Sequence, residues 1–250
     1  MDTNANLEEE YDQLWRHLWA NTHSGGPMAR TRYRLALRWL KLRSDSRERI
    51  LDVGAGNGAF MVTLLRRHPA IDVFGAELSD AAIGLAPPQL QARIAKCDLQ
   101  GDAHLPWGGK FNLITCMEVL EHLPDDYLAM GKIASALEPG GQLLISVPAW
   151  KDQWGPQDVA AGHVRRYEPE DMEQLLEKSG LHLLRISCWG GLVARSYLKA
   201  ADVVGPQRVM SIQLTGFARL AATLVYNLLK IDDVIAAARG PQMLVLAQRS

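Results

Sequence analysis

Several things that would direct a reading are scarce in this chain. Only three cysteines, Cys97, Cys116 and Cys188, occur in 250 residues. Their odd number and their spacing suit neither a disulfide framework nor a metal knuckle, so buried free thiols in a reducing compartment are expected. Net charge is scarce too. The 27 Lys and Arg against 28 Asp and Glu leave −1, with a pI near 6.7, which gives no reason to expect nucleic acid or another polyanion as partner. No internal repeat or low-complexity tract is visible. The polar, acidic start MDTNANLEEE is no signal peptide, so a cytoplasmic location is expected. Nor is there a clean apolar run of membrane length. The longest candidate, SIQLTGFARLAATLVYNLLKI over 211–231, is interrupted by Gln213, Arg219 and Asn227, which argues against a stable span. A buried or amphipathic cap helix is expected there, with surface or lipid contact as the other reading.

What the chain does have is apolar sequence arranged in alternation. With 48% hydrophobic residues it can bury a full core. Strand patterns fall at 48–53, 71–77, 92–97, 111–117, 141–148, 182–188 and 242–248. Helical patterns fit between most of them, at 58–67, 79–86, 125–137 and 168–179. This alternation predicts an α/β fold with a Rossmann-like, doubly wound and mostly parallel sheet. Residues 1–45 carry no strand and read as a helical cap rich in tryptophan (Trp15, Trp19, Trp39), lying across the carboxyl edge of the sheet or packing on its side. The core then spans 46–189, a helical cap insertion 190–240, and a final core strand 241–250.

The segment ILDVGAGNGAF, 50–60, places Gly54, Gly56 and Gly58 directly after an apolar strand and before a helical run. Strand, glycine turn and helix form a nucleotide-type binding corner. Gly54, Gly56 and Ala59, with Glu77 about 20 residues on, formally satisfy a dinucleotide fingerprint. Asp52 argues against it, because a carboxylate at the strand end would meet the pyrophosphate at a Coulombic cost. S-adenosylmethionine has no phosphate and carries an ammonium and a sulfonium, which Asp52 would favour directly or across a water. Glu77 at the end of the second strand suits a ribose diol. Asp98 at the end of the third suits an adenine amino group, with the amide of Leu99 facing a ring nitrogen.

The ordered motifs ILDVGAGNG, VFGAELS, CDLQGDAHLPW, FNLITCMEVLEHLPDD and ALEPGGQLLISVPAW resemble the class I S-adenosylmethionine-dependent methyltransferases over residues 48–188. The resemblance implies a seven-stranded sheet whose last strand, within PQMLVLAQRS, runs antiparallel beside the sixth. It implies cofactor contacts from Asp52, Gly54, Gly56, Gly58, Glu77, Leu78, Asp98, Leu99 and the backbone of Met117. Arg34 matches the place of an arginine near the methionine carboxylate, with Arg30, Arg32 and Arg38 as equal candidates by position. The loop AWKDQWGPQDVAAGHVRRY, 149–167, with its G-H-x-R-R-Y segment, is similar to that of bacterial small-molecule methyltransferases, many of them biosynthetic.

Methyl transfer is an in-line displacement, so the expected enzyme holds acceptor, methyl and sulfur in line. A hydroxyl or amine acceptor calls for a base, and His163 and His122 are the candidates. Trp150 and Trp154 would supply apolar wall, and His163 and Tyr167 polar direction. Arg166 or Arg165 would offer a fork for an oxygen-rich group, the other use of either arginine being a pair with Glu168, Glu170 or Asp171. A small or medium-sized metabolite acceptor is expected, methylated on O or N. Glu118, Glu121 and His122 form an E-x-x-E-H arrangement resembling the magnesium-dependent O-methyltransferases of quinone biosynthesis and of small-RNA ends. Three ligands on one helix face are few for a hard cation, so no metal is expected. Metal-assisted transfer to a quinone-like or lipid-linked acceptor stands as the alternative. An NAD-dependent reductase and a non-catalytic cofactor-binding partner module are readings of other classes. The oligomeric state is not legible.

Overall fold

A computed structural model describes residues 3–19, 25–43, 45–101, 104–232 and 239–250, with side chains from Glu8 onward. The chain opens with helix α1 (Thr3–Leu14), widened over Trp15–Trp19, and α2 (Pro27–Leu40). There follow β1 (Arg49–Val53), α3 (Ala59–Arg67), β2 (Asp72–Glu77), α4 (Asp80–Leu85), α5 (Pro88–Gln91), β3 (Ile94–Lys96) and β4 (Phe111–Met117). The second half runs α6 (Asp126–Ala136), β5 (Leu137–Pro148), α7 (Pro156–Ala161), α8 (Pro169–Lys178) and β6 (Leu181–Trp189). The insertion α9 (Leu192–Val204), α10 (Pro206–Met210) and α11 (Gly216–Asp232) precedes β7 (Gln242–Arg249).

Local chemistry starts these helices where they start. Ser79 accepts from the amide of Ala82 at the head of α4, and Asp125 accepts from Leu128 at the head of α6, each satisfying an amide with no partner inside its helix. Proline stands in the first turn of α2, α7 and α8, where its missing N–H costs nothing.

The strands form one sheet in the order β3-β2-β1-β4-β5-β7-β6. Six share one direction, and β7 lies antiparallel between β5 and β6, as the resemblance implied. Apolar side chains alternate between the two faces. Leu51, Ile114, Ile145 and Val245 enter the core under α6 and α8, while Ile50, Leu113, Leu144 and Leu244 join α2 and α3 on the other side. Both faces are therefore covered, and β5 begins four residues earlier than its pattern suggests because Leu137 already pairs with Phe111. The tryptophans of the Trp-rich start are divided between the two expected places. Trp39 packs on the side of the sheet, while Trp15 reaches over the glycine turn at the carboxyl edge. All three cysteines are free, Cys116 buried and the other two half-buried. No helix among the described residues is long and apolar enough to cross a membrane.

Candidate active site at the carboxyl edge of the sheet

After β1 the backbone turns through Gly54 and Gly56 with φ of 71° and 54°. Glycine is required there twice over. The left-handed backbone disfavours other residues, and a Cβ would lie 2.2 Å from Cγ2 of Val119 at Gly54 and 2.5 Å from the Trp15 ring at Gly56. Gly58 also has positive φ and turns the chain into α3; it does not line the cavity. Glu77 is fixed across the turn. The amide of Gly56 donates to its Oε2 at 2.7 Å, and those of Leu78 and Ser79 donate to Oε1 at 2.9 Å. Burial keeps its carboxyl above the usual range in spite of these three donors.

Glu77, Leu78, Asp98, Leu99 and Met117 line one cavity together with Gly54 and Gly56. Its empty space, counted with the open mouth, is about 910 Å³. Tyr11, Trp15 and Trp19 roof it in edge-to-face contact. Sequence reasoning missed this roof as site residues, although the cluster of tryptophans was its signal. Asp52 lies beneath the turn and outside the lining, its Oδ1 accepting from the Thr115 hydroxyl at 2.6 Å. Burial pushes its carboxyl up to about 7, against the Thr115 bond and with help from Glu77.

The arginine expectation needs correction. Arg34 does not line the cavity; its guanidinium lies 6.0 Å from the Tyr226 ring centroid. Arg32 does line it, with Nη2 2.8 Å from Oε2 of Glu118. Two residues along a helix turn a side chain by about 200°, so only one of the pair can face the sheet edge.

A second cavity, of about 920 Å³ with its mouth, adjoins the first. Arg32 and Glu118 line both. The rest of its wall comes mainly from α2, the 149–167 loop and the insertion, including Met28, His163, Arg166, Tyr197 and Met210, with Pro148 of β5 and Gln242 of β7. Asp158, whose carboxylate is fully buried, organises the loop. Its Oδ1 meets Nδ1 of His163 at 2.8 Å and accepts from Nε of Arg166 at 2.8 Å, while Oδ2 accepts from the amide of Gly155. Burial alone would raise this carboxyl, but these partners together hold it below the usual range. His122 lines the first cavity and His163 the second, with ring centroids 4.8 Å apart.

Three other loop residues are placed differently from expectation. Tyr167 is buried and donates to Asp126 and to the carbonyl of Leu120, so its hydroxyl ties the loop to α6. Trp150 donates to the carbonyl of Gly240, with Arg239 over its ring, and Trp154 is exposed. None of the three lines the second cavity, because the loop folds Asp158 inward and turns its tryptophans toward the chain before β7 and toward solvent. Arg165 pairs with Asp126 and not with the acids of α8. Arg166 does line the cavity, but its Nε and Nη1 are engaged by Asp158 and the carbonyl of Ala149.

Residues 118–122 do not present three ligands on one helix face. Glu118 has φ 58° and only Leu120–His122 forms a tight turn, so the side chains diverge. Glu118 goes to Arg32 and to the Ser146 hydroxyl. Glu121 and His122 meet His163, their ligand atoms within 4.8 Å of one another. Glu121 is fully buried, and among the described residues neither of its oxygens has a hydrogen-bond partner. Burial, and then the charge of Glu118, drive its carboxyl well above the usual range.

A family profile described as "Methyltransferase domain" matches residues 28–186. Among curated proteins, the chain is 29% identical over 153 residues to a ubiquinone biosynthesis O-methyltransferase of Aromatoleum aromaticum, covering 58% of this chain and 64% of that protein. It is 33% identical over 105 residues to one of Coxiella burnetii, covering 39% and 42%. The chain thus matches less than two thirds of these relatives' own length. Among solved structures, the N-methyltransferase NodS of Bradyrhizobium japonicum, in complex with S-adenosylhomocysteine, aligns over 99% of both chains at 20% identity with a TM-score of 0.57. The [4+2]-cyclase SpnF aligns over 99% of this chain and 96% of its own at 19% identity with a TM-score of 0.62. A fold shared with a cyclase does not by itself assign chemistry. The family profile, however, runs from the start of α2 into β6 and takes in every strand that shapes the glycine-turn cavity. The chain therefore belongs to the methyltransferase-domain family.

Proposed function

We propose that this protein transfers a methyl group from S-adenosylmethionine to an oxygen or nitrogen of a small or medium-sized acceptor. The observation that carries the reading is the meeting of two cavities at Arg32 and Glu118, with His122 on one side and His163 on the other. The cofactor supplies an electrophilic methyl on a sulfonium. The first cavity offers it Glu77 for a diol, Asp98 and Leu99 for the adenine edge, and Arg32 for a carboxylate, with Asp52 beneath as a source of negative potential. The aromatic roof excludes water, which strengthens these interactions. In the second cavity His163, oriented through Nδ1 by Asp158, presents Nε2 as the atom that takes the acceptor proton. Incubation with methyl-labelled S-adenosylmethionine and panels of phenolic, alcoholic and amine acceptors, followed by mass spectrometry, tests this. Cofactor binding with no methylated product from any panel would favour a non-catalytic module.

Arg32→Ala should weaken S-adenosylhomocysteine binding about tenfold, as expected for one charge-assisted hydrogen bond, whereas Arg34→Ala should leave it unchanged. Calorimetry of the two variants checks the assignment, and the reverse order would restore Arg34.

The buried carboxyl of Glu121, without a partner among the described residues, has two solutions. In the first reading Glu121 holds a proton and transfer needs no divalent metal. The second, favoured by the convergence of Glu121, His122 and His163, is that these residues hold a divalent cation, which would polarise an acceptor oxygen. This second reading fits an O-methyltransferase of a quinone-like or lipid-linked acceptor. Turnover after exhaustive chelation separates the two. Undiminished activity supports the proton, and a loss restored by magnesium supports the cation, in which case Glu121→Gln should abolish metal binding measured by calorimetry.

A further inference from the structure

The bend after β4 holds a carboxylate between the two cavities. Glu118 has φ 58° there, a left-handed backbone that is unfavourable for any residue with a Cβ and persists only where the surroundings over-determine it. They do so from three elements. The amide of Glu118 donates to the carbonyl of Ser146 in β5 at 2.8 Å, and Oε1 accepts from the Ser146 hydroxyl at 2.8 Å. Gln242, at the start of β7, donates to both carboxylate oxygens at 3.0 and 3.1 Å when its amide nitrogen is turned toward them. Oε2 lies 2.8 Å from Nη2 of Arg32, which comes from α2.

Arg32 is the opposite case. It is buried, yet its Nε has no hydrogen-bond partner among the described residues. A buried guanidinium donor left without an acceptor is unfavourable until an anion reaches it. One member of the pair is thus tied down by β5 and β7, while the other keeps a donor in reserve. We propose that Glu118 is a positioning residue: held by Ser146 and Gln242, it aligns the guanidinium of Arg32 at the wall shared by both cavities, so that the remaining donors take the carboxylate of the cofactor's amino-acid end. This rests on the assignment of the first cavity to S-adenosylmethionine. A long arginine side chain that was free to turn would be ordered only on binding, at an entropic cost. Prior alignment removes that cost, and this outweighs the repulsion between Glu118 and the ligand carboxylate. The role also sets Glu118 apart from Glu121, His122 and His163, whose ligand atoms gather without it.

Calorimetry with two ligands tests this on the intact chain. S-adenosylhomocysteine carries the amino-acid end, whereas 5′-methylthioadenosine has the adenine and ribose without it. Glu118→Gln keeps the shape and removes the charge. It should weaken S-adenosylhomocysteine binding at least about threefold and leave 5′-methylthioadenosine binding as in the parent. Ser146→Ala, which removes one support of the carboxylate, should give a smaller loss with the same split between ligands. In an Arg32→Ala background, Glu118→Gln should add no further loss, because the two residues act through one contact. Unchanged or tighter S-adenosylhomocysteine binding by Glu118→Gln, beside a weakened Arg32→Ala, overturns the positioning role alone and leaves the cofactor reading intact. An equal loss for both ligands also overturns it, making Glu118 a support of the fold. If Arg32→Ala itself binds S-adenosylhomocysteine as the parent does, the assignment of Arg32 to the cofactor fails first and the positioning role falls with it.

Discussion

His163→Ala should lower turnover by about 10²- to 10⁴-fold, the range supplied by a positioned general base, while leaving S-adenosylhomocysteine affinity close to that of the parent. The reason is spatial: His163 lines the second cavity, proposed for the acceptor, and is absent from the lining of the first, proposed for the cofactor. Its Nδ1 is taken up by Asp158, so one ring nitrogen is committed and the other is left for chemistry. Imidazole added to the variant should restore part of the rate if the lost group was a base. Failure of rescue together with loss of bound metal would make His163 a ligand. Loss of cofactor binding or of folding would mean that the loop is structural, and this view of the acceptor site would be wrong. Asp158→Asn should lie between parent and His163→Ala in rate, because it removes the charge that orients the ring while keeping the shape of the hub.

The second large effect is expected at Asp52, and its sign depends on pH. Burial raises this carboxyl to about 7, so without cofactor it is half protonated near neutrality and holds its proton below that, where an unfolded chain would release it near pH 4. A cofactor ammonium favours the ionised form. Affinity should therefore rise with pH up to about 7, level off above it, and fall by as much as about tenfold per pH unit below. Asp52→Asn should flatten that profile and weaken binding at pH 8, through loss of the negative charge beneath the turn and not of a direct hydrogen bond. Stability moves the other way. A folded-state pKa above the unfolded one gives stability that is present at low pH and lost as pH rises through about 7. The cofactor-free Asn variant should accordingly melt above the parent at pH 8. Calorimetric titrations across this pH range, paired with melting curves, check both. Equal affinity of variant and parent at pH 8 would remove Asp52 from the cofactor site.

Most of the sheet could be read from sequence, because its central strands contain short continuous apolar runs, buried on both faces, and are separated by turns and helical patterns. The cofactor corner was legible for a related reason. Gly54, Gly56, Glu77, Asp98 and Leu99 all sit at or just beyond strand ends, where local geometry alone fixes the direction of the chain. Arg32 and Arg34 show where such reading stops. Both lie in the same helix with the same side chain, and only the packing of α2 on the sheet decides which one faces the cavity. The 149–167 loop is a sharper case. Its composition announced a binding segment, yet Asp158 went unnoticed while Trp150, Trp154 and Tyr167 drew attention. A buried carboxylate with three partners has no sequence signature, because those partners lie up to eight residues away along an irregular path.

By itself, then, the sequence determined the class of fold, the positions of most strands along the chain and the glycine corner after β1, since periodicity, caps and glycine turns act over a few residues. Tertiary structure alone decided that the tryptophans of the first helix roof that corner, that His122 and His163 meet across two cavities, and that Glu121 is left buried with no partner among the described residues. It also decided that Glu118 meets Arg32 where the two cavities adjoin. The physical reason is the same for each. Burial, desolvation and the meeting of side chains from distant segments depend on how elements pack, and a carboxylate reads alike in sequence whether an arginine, water or a cavity lies against it.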